Sequence, residues 1–252
     1  MDDKTAKITA AILGGLLAVG LLGAGYFVST TVLRGRMAGN AVTVKGFAER
    51  DVRADLALWK IGFSNTGGNL PDLYARTRSD ENAILTYLRS RAFDERAINV
   101  QGVDLTDQSA NQDRSKVVPE ASRYVLAGTI LVRSTDVARV DAATHALDDL
   151  ISKGVTLTQN QVDFEFTRLN DIKAPMLKDA TENARGAAQQ FANDAGAKVG
   201  SIQSANQGLF SINSRDAAAG TPADNEYSPS GGANTIEKRV RVVVTLTYYL
   251  QR

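Results

Sequence analysis

The sequence predicts an α+β fold, with an N-terminal transmembrane helix followed by a mostly antiparallel sheet and about three packed helices. Three observations lead there. No charged residue stands between Ile8 and Leu33. Several segments, Ala57–Phe63 and Val240–Leu250 above all, place large apolar residues at every second position, as half-buried strands do. The elements run strand, strand, helix, strand, strand, helix, strand, helix, strand, strand, which is not the alternation a doubly wound parallel sheet requires. Helices are therefore expected on one face of a largely antiparallel sheet.

The apolar stretch Ile8–Val28 is mostly Ala, Ile, Leu, Val and Gly. Roughly 20 residues at 1.5 Å rise cross a hydrocarbon core of about 30 Å, so the bilayer is the expected partner of residues 8–28. Lys4 and Lys7 precede the stretch, and Arg34 and Arg36 follow it, a near balance that does not set orientation alone. The short leader is expected inside and residues 34–252 outside the cytoplasmic membrane. The rival reading is a cleaved signal peptide, with an apolar core of about 7–15 residues ending in small residues. Gly23 and Gly25 before Tyr26 mimic that ending, but the run is longer and a retained anchor is expected. Ala10, Gly14 and Ala18 recur every fourth position as a stripe where helices can approach; equally, such small residues are common in membrane helices that make no contact. The chain thus divides into residues 1–33, inner segment and anchor, and 34–252, an exported domain with a flexible loop at 214–234.

Composition removes whole classes of function. The 252 residues hold 29 Lys+Arg against 28 Asp+Glu, a net charge of +1, and no basic surplus exists for nucleic acid. Cysteine is absent and histidine occurs once, so disulfides, thiolate metal sites, a cysteine nucleophile and histidine-rich metal centres have no residues to build them.

Within the exported part, Ala41–Gly46 alternates like a strand until charges from Glu49 to Arg53 interrupt it. Ala57, Trp59, Ile61 and Phe63 then share one buried face, where Trp59 is a packing residue rather than a ligand platform. Asn69 and Asp72 resemble a capping box, opening a helix that tolerates Pro71 in its first turn and runs to about Arg91. Its buried stripe is Leu73, Ile84, Tyr87 and Leu88. Ile98–Thr106 and Tyr124–Arg133 are strands joined by a polar arm, with Gly128 a bulge or a point of close packing. One helix is expected over Val137–Lys153, stopped by Gly154, with Val137, Val140, Leu147, Leu150 and Ile151 inward and His145 solvated.

Val162–Thr167 alternates again. A long helix should begin near Lys173, with Pro175 in its first turn, and end at Ala195 and Gly196. Val199–Asn206 should return as a strand. Ser214–Asn234, rich in Gly, Pro, Ser, Ala and Asp, reads as a loop. In Val240–Leu250 the even positions form one apolar face, and a strand this long should be paired on both sides.

No phosphate-cradling loop and no familiar serine-nucleophile motif stands in the chain. Carboxylates are plentiful but scattered: Asp148 and Asp149, or Asp216, Asp224 and Glu226, can be offered as acid/base groups or cation ligands, yet their contexts are a solvated helix face and a flexible segment, where surface charge is the expected role. No catalytic residue, metal ligand or cofactor is assigned, and His145 lacks a partner that would make it a catalyst. A carboxylate-based hydrolase stays as the competing class.

The segments VTVKGFAERDVRADLALWKIGFS, FTRLNDIKAPMLKDATENARGAAQQFANDAGAKVGSIQSANQGLFSI and EKRVRVVVTLTYYL, matching in order, resemble the SIMPL-domain family in its bacterial membrane-anchored branch. The likeness covers nearly all of residues 41–252. It implies an envelope protein facing the periplasm, an α+β domain, ring- or channel-like homo-oligomers, no known enzyme activity and a link to oxidative-stress tolerance. A periplasmic scaffold or cage ranks above a channel, because the one membrane segment offers only Thr9, Ser29, Thr30 and Thr31 as hydroxyls, near its ends. The segment most open to a family-specific role or subunit contact is Asn206, Gln207, Gly208, Leu209 and Phe210. Otherwise it is a strand end with a turn at Gly208, and Leu209 and Phe210 lie in the core or a contact.

Overall fold

The computed structural model describes residues 40–110, 119–216 and 234–251, with Gly15, Gly20 and Leu21. The expected anchor, its stripe of Ala10, Gly14 and Ala18, and most of the 214–234 loop lie outside these residues. Among the described residues no helix is long and apolar enough to cross a membrane. The α+β reading holds, with one change: the strands form two sheets instead of one. These are β1-β7-β6 and β3-β4-β2-β5. The chain divides into two compact units, one of Met1–Ala48, Pro175–Leu209 and Val242–Arg252, the other of Glu49–Ala174 and Phe210–Arg241.

The second of these units holds the four-stranded sheet. Strand β2 (Leu56–Gly67) pairs antiparallel with β4 (Tyr124–Ser134) on one side and β5 (Leu157–Glu165) on the other, and β3 (Ile98–Asp107) pairs antiparallel with β4. Ala57, Trp59, Ile61 and Phe63 are fully or almost fully buried, as their period-two spacing predicts. Burying each large side chain contributes roughly 1.5–3 kcal/mol. The expected close packing at Gly128 is real. A Cβ there would meet the tip of the Phe63 ring, so the missing side chain is what lets the phenyl ring approach β4. Register shifts fall elsewhere, between Val100 and Val103 of β3 and between Gly62 and Phe63 where β2 pairs with β5.

Helix α1 (Leu70–Ser90) covers this sheet with Leu73, Ile84, Tyr87 and Leu88 buried. The same stripe buries Thr77 and Glu81. Thr77 Oγ1 donates to the Leu73 carbonyl at 2.9 Å, and Glu81 accepts two hydrogen bonds from Arg78, each of 2.8 Å. Asn69 is the N-cap residue, but its side chain makes no capping bond, so the expected capping box does not form. Asn69 still contributes its carbonyl, to Leu73 N–H at 3.0 Å.

The single helix expected over Val137–Lys153 is two: α2 (Val137–Thr144) and α3 (Asp148–Ser152). The break has a local cause. Thr144 Oγ1 donates to the Asp141 carbonyl at 2.8 Å and His145 Nδ1 lies 2.8 Å from the same oxygen, so side chains occupy the acceptor that continuing the helix would use. The re-aimed α3 buries Leu150 but leaves Ile151 59% exposed, which removes Ile151 from the expected stripe. Strand β5 starts five residues before the expected Val162, because the polar run Leu157–Gln161 pairs with β2 despite lacking an apolar face.

In the first unit, helix α4 (Leu169–Asp194, which enters this unit at Pro175) buries Met176, Ala180, Ala184, Ala188 and Ala192. It starts before the expected Lys173, placing Pro175 inside it. Pro175 leaves the Asp171 carbonyl without its helical donor, and Asp171 is exposed, so water can take that place. The alanine row lets backbone approach backbone. A Cβ at Gly46 of β1 (Ala41–Arg53) would meet the Ala180 carbonyl and Ala184 N.

Strand β7 (Glu237–Gln251) lies between β1 and β6 (Lys198–Ser214), paired on both sides as expected. Val242, Val244, Leu246 and Tyr248 are buried on one of its faces. On the other, Thr43 bonds Thr247 at 3.0 Å. In the second unit the charges of β1 do not interrupt the strand, because β7 neutralises them: Arg241 reaches Glu49 at 2.9 Å and Arg239 reaches Asp51 at 2.7 Å.

Candidate functional site: an open sheet edge

Each sheet has two edges, and an uncovered edge offers unpaired N–H and C=O groups to another chain. Three of the four are blunted. At β1, the Phe47 N–H that faces away from β7 donates to Asn183 Oδ1 of α4 at 3.2 Å. At β3, the bulge near Gly102 breaks the line and Asp104 and Asp107 add charge. At β5, Asp163 and Glu165 are charged, and Gln159, Gln161 and Asp163 link their side chains along the strand at 3.2 and 3.3 Å.

Strand β6 carries none of these devices. From Val199 to Ser214 it has no charged residue. From Ser201 to Leu209, within the first unit, every residue is exposed. Leu209 is 93% and Ile202 43% exposed. In an antiparallel strand alternate residues direct both backbone groups outward, so this stretch presents about four outward N–H and C=O pairs.

The expected family-specific segment, Asn206, Gln207, Gly208, Leu209 and Phe210, lies on this strand. It does not turn at Gly208: β6 continues through it to Ser214. Gly208 is needed for closeness rather than for a bend, since a Cβ there would sit 2.9 Å from the Val243 carbonyl, and Gly200 stands likewise 2.9 Å from that of Tyr249. Exposure takes Leu209 out of the core, while Phe210 is half-buried. The edge position itself was missed in the sequence. Its signal is the absence of charge over sixteen residues, which a segment-by-segment search for apolar faces passes over.

Other residues considered for chemistry stand apart. His145 has a side chain 78% exposed, and among the described residues its polar neighbours are Thr144 and Asp141. Asp148 and Asp149 are exposed, and Asp149 pairs with Arg91 at 3.9 Å. Asp224 and Glu226 lie outside the described residues, and Asp216 pairs with Arg215 at 3.3 Å. Among the described residues no three His, Cys, Asp or Glu side chains gather as a metal site would need.

Among the described residues three carboxylates have shifted pKa values, and all three move down, away from the raised value a general acid at neutral pH needs. The Arg239 hydrogen bond lowers Asp51. Burial pushes Asp55 up, but hydrogen bonds from Thr167 N and Oγ1 and from Arg168 outweigh it. Ser109 and Arg123 pull Asp107 down to about 2. The buried amine of Lys238 is lowered by burial, against the opposing charges of Asp163 and Glu165.

None of the curated proteins matches the chain. Residues 42–248 match the family described as SIMPL, protein of unknown function (DUF541), from the first strand through the last. With more than half its length matched, across both sheets and the open edge of β6, the chain belongs to the SIMPL family.

Proposed function

We propose that this SIMPL protein is a single-pass envelope protein of the bacterial cytoplasmic membrane. In this reading its periplasmic domain self-associates into a ring-like scaffold or cage, with a role in stress tolerance. The observation that carries the assembly is the β6 edge: nine consecutive exposed residues, no charge, and a leucine 93% exposed. Identical uncharged edges suit one another in a two-fold pairing, which joins copies in twos, and a ring follows where a further contact between unlike surfaces of the copies closes. The uncharged Ile8–Leu33 segment supports anchorage, and hydroxyls confined to its ends favour a scaffold over a conducting pore.

The test is the mass of the full chain in mild detergent, for the wild type and for a Ser204→Lys/Leu209→Lys variant. A wild-type oligomer that the variant reduces to folded monomer supports the reading. A monomeric wild type at micromolar concentration overturns it, as does an oligomer indifferent to both lysines. A reporter fused after Arg252 that is active only in the cytosol would overturn the topology.

A further inference from the structure

The second unit has a cleft of about 500 Å³ where the start of β2, the turn after α1 and the end of β4 meet. Its floor is apolar, since Leu56 and Phe93 line it yet are only 4% and 5% exposed. Its walls carry three arginines and three aspartates; Asp136 is committed to Arg139, and Asp55 to Arg168, which lies outside the lining. Asp55 accepts from Thr167 N at 2.8 Å, Thr167 Oγ1 at 3.0 Å and Arg168 Nε at 2.9 Å. Asp136 caps α2 through Arg139 N at 3.0 Å and pairs with the Arg139 guanidinium at 3.0 Å. That guanidinium also donates to the Ala92 carbonyl at 2.8 Å.

What remains is unbalanced. Among the described residues the guanidinium groups of Arg96 and Arg133 make no hydrogen bond or ion pair, and only Asp94, which accepts from Arg96 N at 3.1 Å, opposes them. Two positive charges stand against one negative, a surplus of one. Hydroxyl donors lie beside them: Ser134 Oγ accepts from Asp136 N at 3.1 Å and so keeps its own proton to give, and Thr135 also lines the cleft.

From this arrangement we propose that the cleft binds a carboxylate carried on an apolar body, whether a free organic acid or the C-terminus of a polypeptide. The two guanidinium forks match the planar carboxylate and the hydroxyls complete its shell. Ala92 and Ala97, with the small exposed edges of Leu56 and Phe93, take the apolar body. A surplus of one charge suits a monoanion, and the volume falls within the range of small-ligand sites, about 300–1,000 Å³.

The chain supplies its own reporter. Its single tryptophan, Trp59, is fully buried with its ring centroid 6.2 Å from that of Phe93, so a ligand pressing on Phe93 alters the surroundings of the only indole. Trp59 fluorescence of the full chain is followed on titration with octanoate, with N-acetyl-Ala-Leu and its C-terminal amide, and with inorganic phosphate. Saturable binding of octanoate or the peptide acid, with the amide silent, is the expected result, and the tighter of the two acids identifies the source. Arg96→Gln and Arg133→Gln should each weaken that binding about tenfold, as loss of a charge-assisted bond does. Asp94→Asn should tighten it. Far-UV circular dichroism and the unfolding midpoint of each variant confirm that it is folded. No saturation by either acid, equal binding of the amide or of phosphate, or binding unchanged in both folded arginine variants would overturn the proposal.

Discussion

The indole N–H of Trp59 donates to Asn160 Oδ1 at 2.8 Å, and Asn160 Nδ2 donates in turn to the Thr144 carbonyl at 3.3 Å. One asparagine on β5 thereby satisfies the buried tryptophan of β2 and takes up the last carbonyl of α2, beside the break at His145. Asn160→Ala should leave the indole N–H buried without a partner and cost about 1–3 kcal/mol. Asn160→Asp keeps the acceptor for the indole and should lose less. Urea unfolding followed by Trp59 emission measures both.

Gly46→Ala and Gly128→Ala should each destabilise by about 1–3 kcal/mol, the usual cost of overpacking. The first drives a methyl group into the α4 backbone at Ala180 and Ala184, and the second drives one into the Phe63 ring. A ring turns aside more readily than a helix backbone moves, so the Gly46 variant should lose more. Equal midpoints for the two variants would contradict that ordering.

Tyr248→Phe should be neutral or stabilising. Tyr248 is fully buried, and its hydroxyl has no hydrogen-bond partner among the described residues. Removing an unsatisfied buried hydroxyl relieves its desolvation cost without breaking a bond. A loss of more than about 1 kcal/mol in denaturant unfolding would show that the hydroxyl is bonded in solution.

Asp107 receives hydrogen bonds from Ser109 and Arg123, which lower its pKa to about 2, below the ordinary carboxylate value of about 3.9. A carboxylate lowered on folding adds stability that is present above its unfolded pKa and disappears as pH falls through the folded value. The contribution should therefore be complete above about pH 4 and fade towards pH 2. Carboxyl carbon shifts give the titration directly, and Asp107→Asn should flatten the acid limb of the stability curve in that window.

Asp136→Ala should cost about 1 kcal/mol through the lost cap on Arg139 N, and it also frees Arg139 from its ion pair. Thermal unfolding reads the first effect. If the cleft binds carboxylates as proposed, freeing that third guanidinium should also strengthen octanoate binding.

Sequence alone determined what depends on local periodicity and chemistry. The face of Ala57, Trp59, Ile61 and Phe63, the inward row of β7, the α1 stripe and the solvated His145 follow from which side of a strand or helix a residue occupies. Where tertiary pairing supplies the missing partner, the sequence misleads. Glu49 and Asp51 look like the end of a strand until Arg241 and Arg239 stand opposite them, and Leu157–Gln161 looks like a loop until β2 runs beside it. Gly208 looks like a turn because glycine permits one, whereas here it lets β6 lie close to the Val243 carbonyl. Only the fold decided that β6 is an edge and that Arg96 and Arg133 share a cleft. Both depend on residues far apart in the chain being brought together, or left uncovered, and no local spacing records that.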